Sequence, residues 1–212
     1  MSVIALISIF TPLMPVLLGL IRWRCIGLLQ RRLLLLIAII AVNQLLSVAL
    51  WEHLANTRPL FLLYIMVEGL GYTWLYAQHF KSRVSRHLKF MPALALVVLL
   101  IDHLIRKDIW ADPHLLRTVE GLLLLFYAGT YFGTTIRQRS TQHPERTPVF
   151  WMSTGLLVFF GSIQVLTLFS EFLFSQSQAV QTAVYDVQAI IGILLYVLLT
   201  LAMLCPPPTR TS

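Results

Sequence analysis

Arg117 and Glu120 stand three residues apart in a run, Leu115 to Thr134, that is otherwise almost wholly apolar. At helical pitch this spacing puts a guanidinium and a carboxylate side by side on one face. A third charge, Glu68, lies inside another apolar run, Leu60 to His79, and is the deepest acid in the chain. Its eight residues of depth correspond to about 12 Å at helical rise. Tyr64 and Tyr72 sit four residues to either side of Glu68, so both phenols share its face. Carboxylates held this way can bind a cation, a proton or an amine-bearing ligand, and the planar fork of an arginine can pair an anion.

Weaker candidates accompany this set. Asn43 and Gln44 occupy the middle of the second apolar run, where amides either recognise a ligand or bond one helix to another. Asp102 and His103 fall near the end of the fourth run, and Asp186 with Gln188 near the start of the seventh. All lie toward one side of the bilayer in the topology derived below, which predicts a polar pocket opening to that side. The plainer alternative is that the end-lying residues are ordinary interface groups and the charges a structural ion-pair network.

Several enzyme classes fail on their own requirements. A catalytic zinc takes about three protein ligands, and the six histidines (53, 79, 87, 103, 114 and 143) form neither HExxH nor an HxxxH pair. Ser153 and Ser162 have no histidine in their own or the last apolar run to serve as a base. The last run contains no lysine for a retinal Schiff base. The residues therefore read as non-enzymatic, with no metal site and no cofactor.

The elements that position these residues follow from composition. Of 212 residues, 58% are hydrophobic and only 12% charged, with a mean hydropathy of +0.78. Soluble domains carry roughly 25% charged residues, so the chain is predicted to be an all-α polytopic membrane protein. Seven apolar runs have the length of a bilayer crossing: 2–21, 33–51, 60–79, 90–105, 115–134, 149–169 and 180–204. They make one seven-helix domain over residues 1–212, with connections too short to fold alone. The fourth run is the shortest, which leaves a six-helix count as the alternative.

Charge placement decides between those counts. Arg22, Arg24, Arg31 and Arg32 fall in the first connection, Lys81, Arg83, Arg86 and Lys89 in the third, Arg137, Arg139 and Arg146 in the fifth, and Arg210 in the tail. The alternate connections hold only Arg58, Arg106 and Lys107. This alternation follows the positive-inside rule for seven helices with the N-terminus outside and the C-terminus inside. The net charge of +7 thus encodes orientation, with no call for nucleic acid. No basic residue precedes the first run, so it reads as an uncleaved helix.

Local features predict packing. Pro12 and Pro15 should bend the first span, and Gly129 with Gly133, and Gly155 and Gly161 in the sixth, should let helices approach closely. Trp51, Trp110 and Trp151 fit an interfacial belt. Cys25 and Cys205 offer neither a disulfide framework nor metal-ligand spacing, and read as reduced.

The stretch Pro148-Val-Phe-Trp151-Met-Ser-Thr-Gly155-Leu-Leu-Val-Phe-Phe-Gly161 resembles a P-x-FW-x-x-x-GLL signature of small seven-helix bacterial membrane proteins common in Bacteroidota. The first span with its prolines and Gly19 to Arg22, Glu68, and the Arg117 to Glu120 spacing are similar to that group as well. Where the resemblance implies Asn-Glu in the second span, this chain has Asn43-Gln44, so a second buried carboxylate is missing there. What it implies is a fold and an association with signalling partners.

The resulting expectation is a sensory or signalling protein of the bacterial inner (plasma) membrane. It would bind a small ligand or ion in an outer-half pocket and act through a protein partner at its basic inner connections, with room for a homo-oligomer. A proton, cation or small-solute transporter or channel is the alternative, and a ligand-free scaffold the third. Transport ranks second because the inner half of the spans reads as almost wholly apolar, with Gln164 and the serines of the sixth span as the exceptions.

Overall fold

The computed structural model describes residues 3–50, 58–80, 114–138, 143–169 and 177–206, together with 97, 100, 101, 172 and 175. Among these residues the chain is helical and has no strand. The helices are α1 (Val3–Phe10), α2 (Leu13–Ile21), α3 (Leu28–Ala49), α4 (Arg58–His79), α5 (His114–Gln138), α6 (Pro148–Leu168) and α7 (Gln178–Leu204). A 3-10 turn at Pro144–Arg146 precedes α6. The five from α3 to α7 are long and apolar enough to cross a membrane. Most of the expected fourth span lies outside the described residues, although 97, 100 and 101 are helical.

The first span is interrupted at one point. Pro12 has no amide hydrogen, and Thr11 turns both its amide (3.2 Å) and its hydroxyl (2.9 Å) back to the Ile7 carbonyl. The helix restarts when the Met14 amide bonds the Thr11 carbonyl at 3.0 Å. Pro15 sits in the first turn of α2, where a missing donor costs nothing. The expected bend thus belongs to Thr11 and Pro12 alone.

α3 starts five residues before the expected boundary, so Arg31 and Arg32 are helical rather than loop residues. The Gln30 side chain accepts the Gly27 amide at 2.7 Å and so secures the helix start. The two arginines lie over aromatic rings, Arg31 on Trp23 at 5.3 Å and Arg32 on Trp74 at 4.9 Å, and Arg32 also donates to Gln78. Guanidinium heads held over aromatic rings at the end of the bundle let such residues extend a helix beyond the purely apolar run.

Each helix packs on its sequence neighbour in the described set, α2 on α3 through to α6 on α7, and α7 closes the ring against α1 and α2. Leu33, Ile37, Ile65, Leu124, Leu156, Phe160 and Leu199 fill the centre. Large apolar side chains such as Ile21, Leu35, Leu122 and Leu168 point outward. A surface of that kind suits acyl chains rather than water.

The glycines divide into two groups. A Cβ at Gly155 would stand 2.9 Å from Leu195, so this glycine sets the α6 to α7 approach; Gly161 has ordinary space, with Leu125 at 3.9 Å. Nothing lies within 4 Å of a Cβ at Gly129 or Gly133, and both face outward. The expected packing step at Gly129 and Gly133 is therefore not used within the chain.

One end of the bundle gathers Arg22, Arg31, Arg32, His79, Arg137, Arg146 and the close of α7, and is called the basic end below. Pro206, Pro207 and Pro208 have no amides to cap α7. Side chains do so instead: Gln30 donates to the Ala202 and Cys205 carbonyls at 2.9 and 3.0 Å, and Arg22 to the Met203 carbonyl at 3.1 Å. Trp151 lies at the same end and donates to the Glu145 carbonyl at 2.7 Å, while Trp51 and Trp110 fall outside the described residues. Both cysteines are free thiols, Cys25 exposed and Cys205 buried.

Candidate functional site

The three charges singled out by spacing meet at one point. Arg117, in the first turn of α5, donates from Nη1 to Glu68 Oε2 of α4 at 2.5 Å and to Glu120 Oε2 at 2.6 Å. The Arg117 to Glu120 contact is the i, i+3 pair of one helix face. The contact with Glu68 is tertiary and holds α4 against α5. Glu68 and Glu120 are 1% and 0% exposed, and the Arg117 side chain 15%.

Aromatic rings surround the guanidinium. Its carbon lies 4.9 Å from the Phe160 ring, 5.4 Å from Tyr64 and 5.8 Å from Phe159, all within cation–π range. Tyr64 and the fully buried Tyr72 are both within electrostatic reach of Glu68, as their helical spacing implies. Tyr196 of α7, also buried, reaches the same charges. From α6, Gln164 donates to the Thr118 carbonyl at 3.2 Å, and its amide occupies the space that a side chain at position 121 would need. Gly121 is what admits it.

The formal charges do not balance. Counted as ionised, two carboxylates against one guanidinium carry a formal net charge of −1 in an almost wholly buried site. Glu120 Oε1 is buried and has no hydrogen-bond partner among the described residues. A buried acceptor left unmet costs about 1–3 kcal/mol, and a single added positive charge would remove both the imbalance and the orphaned acceptor.

The remaining candidates are not part of the three-residue ion-pair cluster that the described contacts define. Asn43 is buried on α3 and Gln44 half-buried, and neither contributes to the ion pairs. Asp186 is half-buried on α7, and the three-residue cluster forms without it. Asp102 and His103 lie outside the described residues.

Gln164, expected in the half that bears the basic connections, belongs instead to the end holding Arg117. The half toward the basic end is also less apolar than it reads. Tyr72, Tyr76, Tyr127, Tyr131 and Ser153 are all at most 3% exposed and continue from Glu68 toward the basic end. Tyr76 and Ser153 share a hydrogen bond of 2.8 Å, and Tyr131 and Thr147 one of 3.2 Å. The signal was present in the sequence as the four-residue spacing of Tyr64, Glu68, Tyr72 and Tyr76. It was masked because tyrosine rings count as apolar in a hydropathy window.

No protein-family model, curated protein or solved structure matches the chain.

Proposed function

We propose that the chain is a multi-pass membrane sensor or signalling protein that binds one small positively charged species at Glu68, Arg117 and Glu120. The supporting observation is the formal charge of −1 on the ionised cluster, with a buried Glu120 Oε1 that has no hydrogen-bond partner among the described residues. A scaffold held together by its charges would gain nothing from that unmet acceptor. With both carboxylates 0–1% exposed, the site fits a proton or a bare monovalent cation better than a bulky solute. Arrival of the charge would change how tightly Arg117 holds α4 to α5. That change would pass to a protein partner at the basic connections.

The basic end is read as the cytoplasmic side of the inner membrane, with the N-terminus outside and the C-terminus inside. α4 ends at the basic end beside Tyr131, and α5 begins at the opposite end beside Glu68. Parallel neighbours of this kind require one crossing between them, which favours seven spans over six. The resemblance of Pro148 to Gly161 to small seven-helix bacterial proteins supports the same layout.

A carrier of hydrated ions or solutes ranks below the sensor. The rings of Tyr76, Phe80 and Tyr127 stack at 5.5 to 6.0 Å and fill the half of the bundle that such a solute would have to cross.

The test is thermal unfolding of the protein in lipid nanodiscs, titrated with acid and with alkali-metal, ammonium and alkylammonium chlorides. Wild type should be stabilised by at least one of these, by linkage, and Glu120→Gln should lose the response. A wild type indifferent to all of them, or a variant that responds equally, sinks the reading.

A further inference from the structure

Of the seven tyrosines, Tyr185 alone lies on the outward face, at 56% exposure. Tyr72, Tyr76, Tyr127, Tyr131 and Tyr196 are buried, and Tyr64 lies against Arg117. A phenyl ring would fill the same volume, and the chain uses phenylalanine twelve times elsewhere. Burying a hydroxyl that packing does not require is costly unless it is bonded. The placement of these hydroxyls therefore calls for an explanation beyond core filling.

Their order supplies one. Along α4, Glu68, Tyr72 and Tyr76 follow at one-turn intervals of about 6 Å of axial rise, which a single water in each interval would bridge. Tyr76 is bonded to Ser153 of α6, and its ring stacks at 5.5 Å on Tyr127 of α5. One turn further, Tyr131 is bonded to Thr147, and its ring meets that of His79 at 5.4 Å. His79 is exposed at the basic end and is the kind of group that exchanges protons with water near neutral pH.

We propose that this column carries protons between the basic end and the Glu68 and Glu120 carboxylates. The inference rests on the reading that the site binds a positive charge, and it names that charge as a proton. A proton taken from hydronium by the His79 imidazole passes inward as each hydroxyl oxygen, or a water in the gap between two of them, accepts one proton and releases its own to the next. The last transfer forms an O–H bond on Glu120 Oε1, so one carboxylate becomes a carboxylic acid and no electrons move. The groups facing that carboxyl are Arg117 of its own helix, Glu68, Tyr64 and Tyr72 of α4 and the neutral Gln164 of α6, with Tyr196 of α7 reaching Glu68 and Arg117. The site is loaded from the basic end, opposite to the opening that the sequence alone implies.

The experiment is a pH jump on the full chain in nanodiscs, followed by time-resolved infrared absorption of the protonated carboxyl. Wild type should gain that band in acid, and Glu120→Gln should lack it. Tyr76→Phe and Ser153→Ala should reach the same final amplitude about tenfold more slowly, reflecting a higher barrier at one step. Tyr185→Phe should match wild type. Wild-type rates in both Tyr76→Phe and Ser153→Ala would overturn the path while leaving the charge-binding site standing. A wild type with no such band would overturn the proton assignment and the path together.

Discussion

Glu68 and Glu120, on different helices, are joined through a single nitrogen, Nη1 of Arg117, at 2.5 and 2.6 Å. Removing that nitrogen strands two buried carboxylates. Arg117→Met should destabilise the protein by about 3–5 kcal/mol, the usual cost of breaking a buried ion pair from one side. Adding Glu68→Gln and Glu120→Gln to it should recover most of the loss. Chemical or thermal unfolding of the single and triple variants in the same lipid measures both, and a triple variant no more stable than the single one would contradict a charge origin.

The contrast among glycines gives a second expectation. Gly155→Val should cost about 1–3 kcal/mol through overpacking against Leu195. Gly129→Ala and Gly133→Ala meet open space, and should be neutral or stabilising by up to about 1 kcal/mol from helix propensity. Melting temperatures of the three variants decide it.

At the basic end, Gln30→Leu should cost about 2–3 kcal/mol, because it leaves the buried Ala202 and Cys205 carbonyls without their donor. Hydrogen exchange should rise in the last turn of α7 before it rises elsewhere. Exchange that increases uniformly would argue against a local capping role.

Thiol labelling tests orientation and burial together. Cys25 is exposed, so a membrane-impermeant maleimide should label it only after permeabilisation if the basic end is cytoplasmic. Cys205 should stay largely unlabelled near neutral pH. Burial pushes its thiol above the ordinary range, against the opposing influence of Arg22, and only the thiolate reacts readily. Labelling of Cys25 in intact cells would reverse the assigned topology.

Span positions were legible because a bilayer demands long apolar runs, and the observed ends of α4, α6 and α7 fall within two residues of those expected. The start of α3 was not, since Arg31 and Arg32 look like loop residues until their guanidinium groups are seen to lie over the rings of Trp23 and Trp74. Arg117 and Glu120 were readable as a pair through local helical spacing. Their union with Glu68 is a tertiary contact, and only similar depth in the membrane hinted at it. The hydroxyl column was overlooked for a different reason: each tyrosine alone is a normal core residue, and only their common direction across α4, α5 and α6 carries information.

The clasp on the end of α7 also bears on how the bundle is made. Arg22 and Gln30 are synthesised well before the carbonyls they hold, which lie more than 170 residues further along the chain. Until α7 is synthesised these donors lack their final partners and the ring of helices stays open between α1–α2 and α7. Closure therefore waits for α7, and a chain stopped before Ala202 would carry every charge of the buried site while remaining an unsealed intermediate, exposed to membrane quality control.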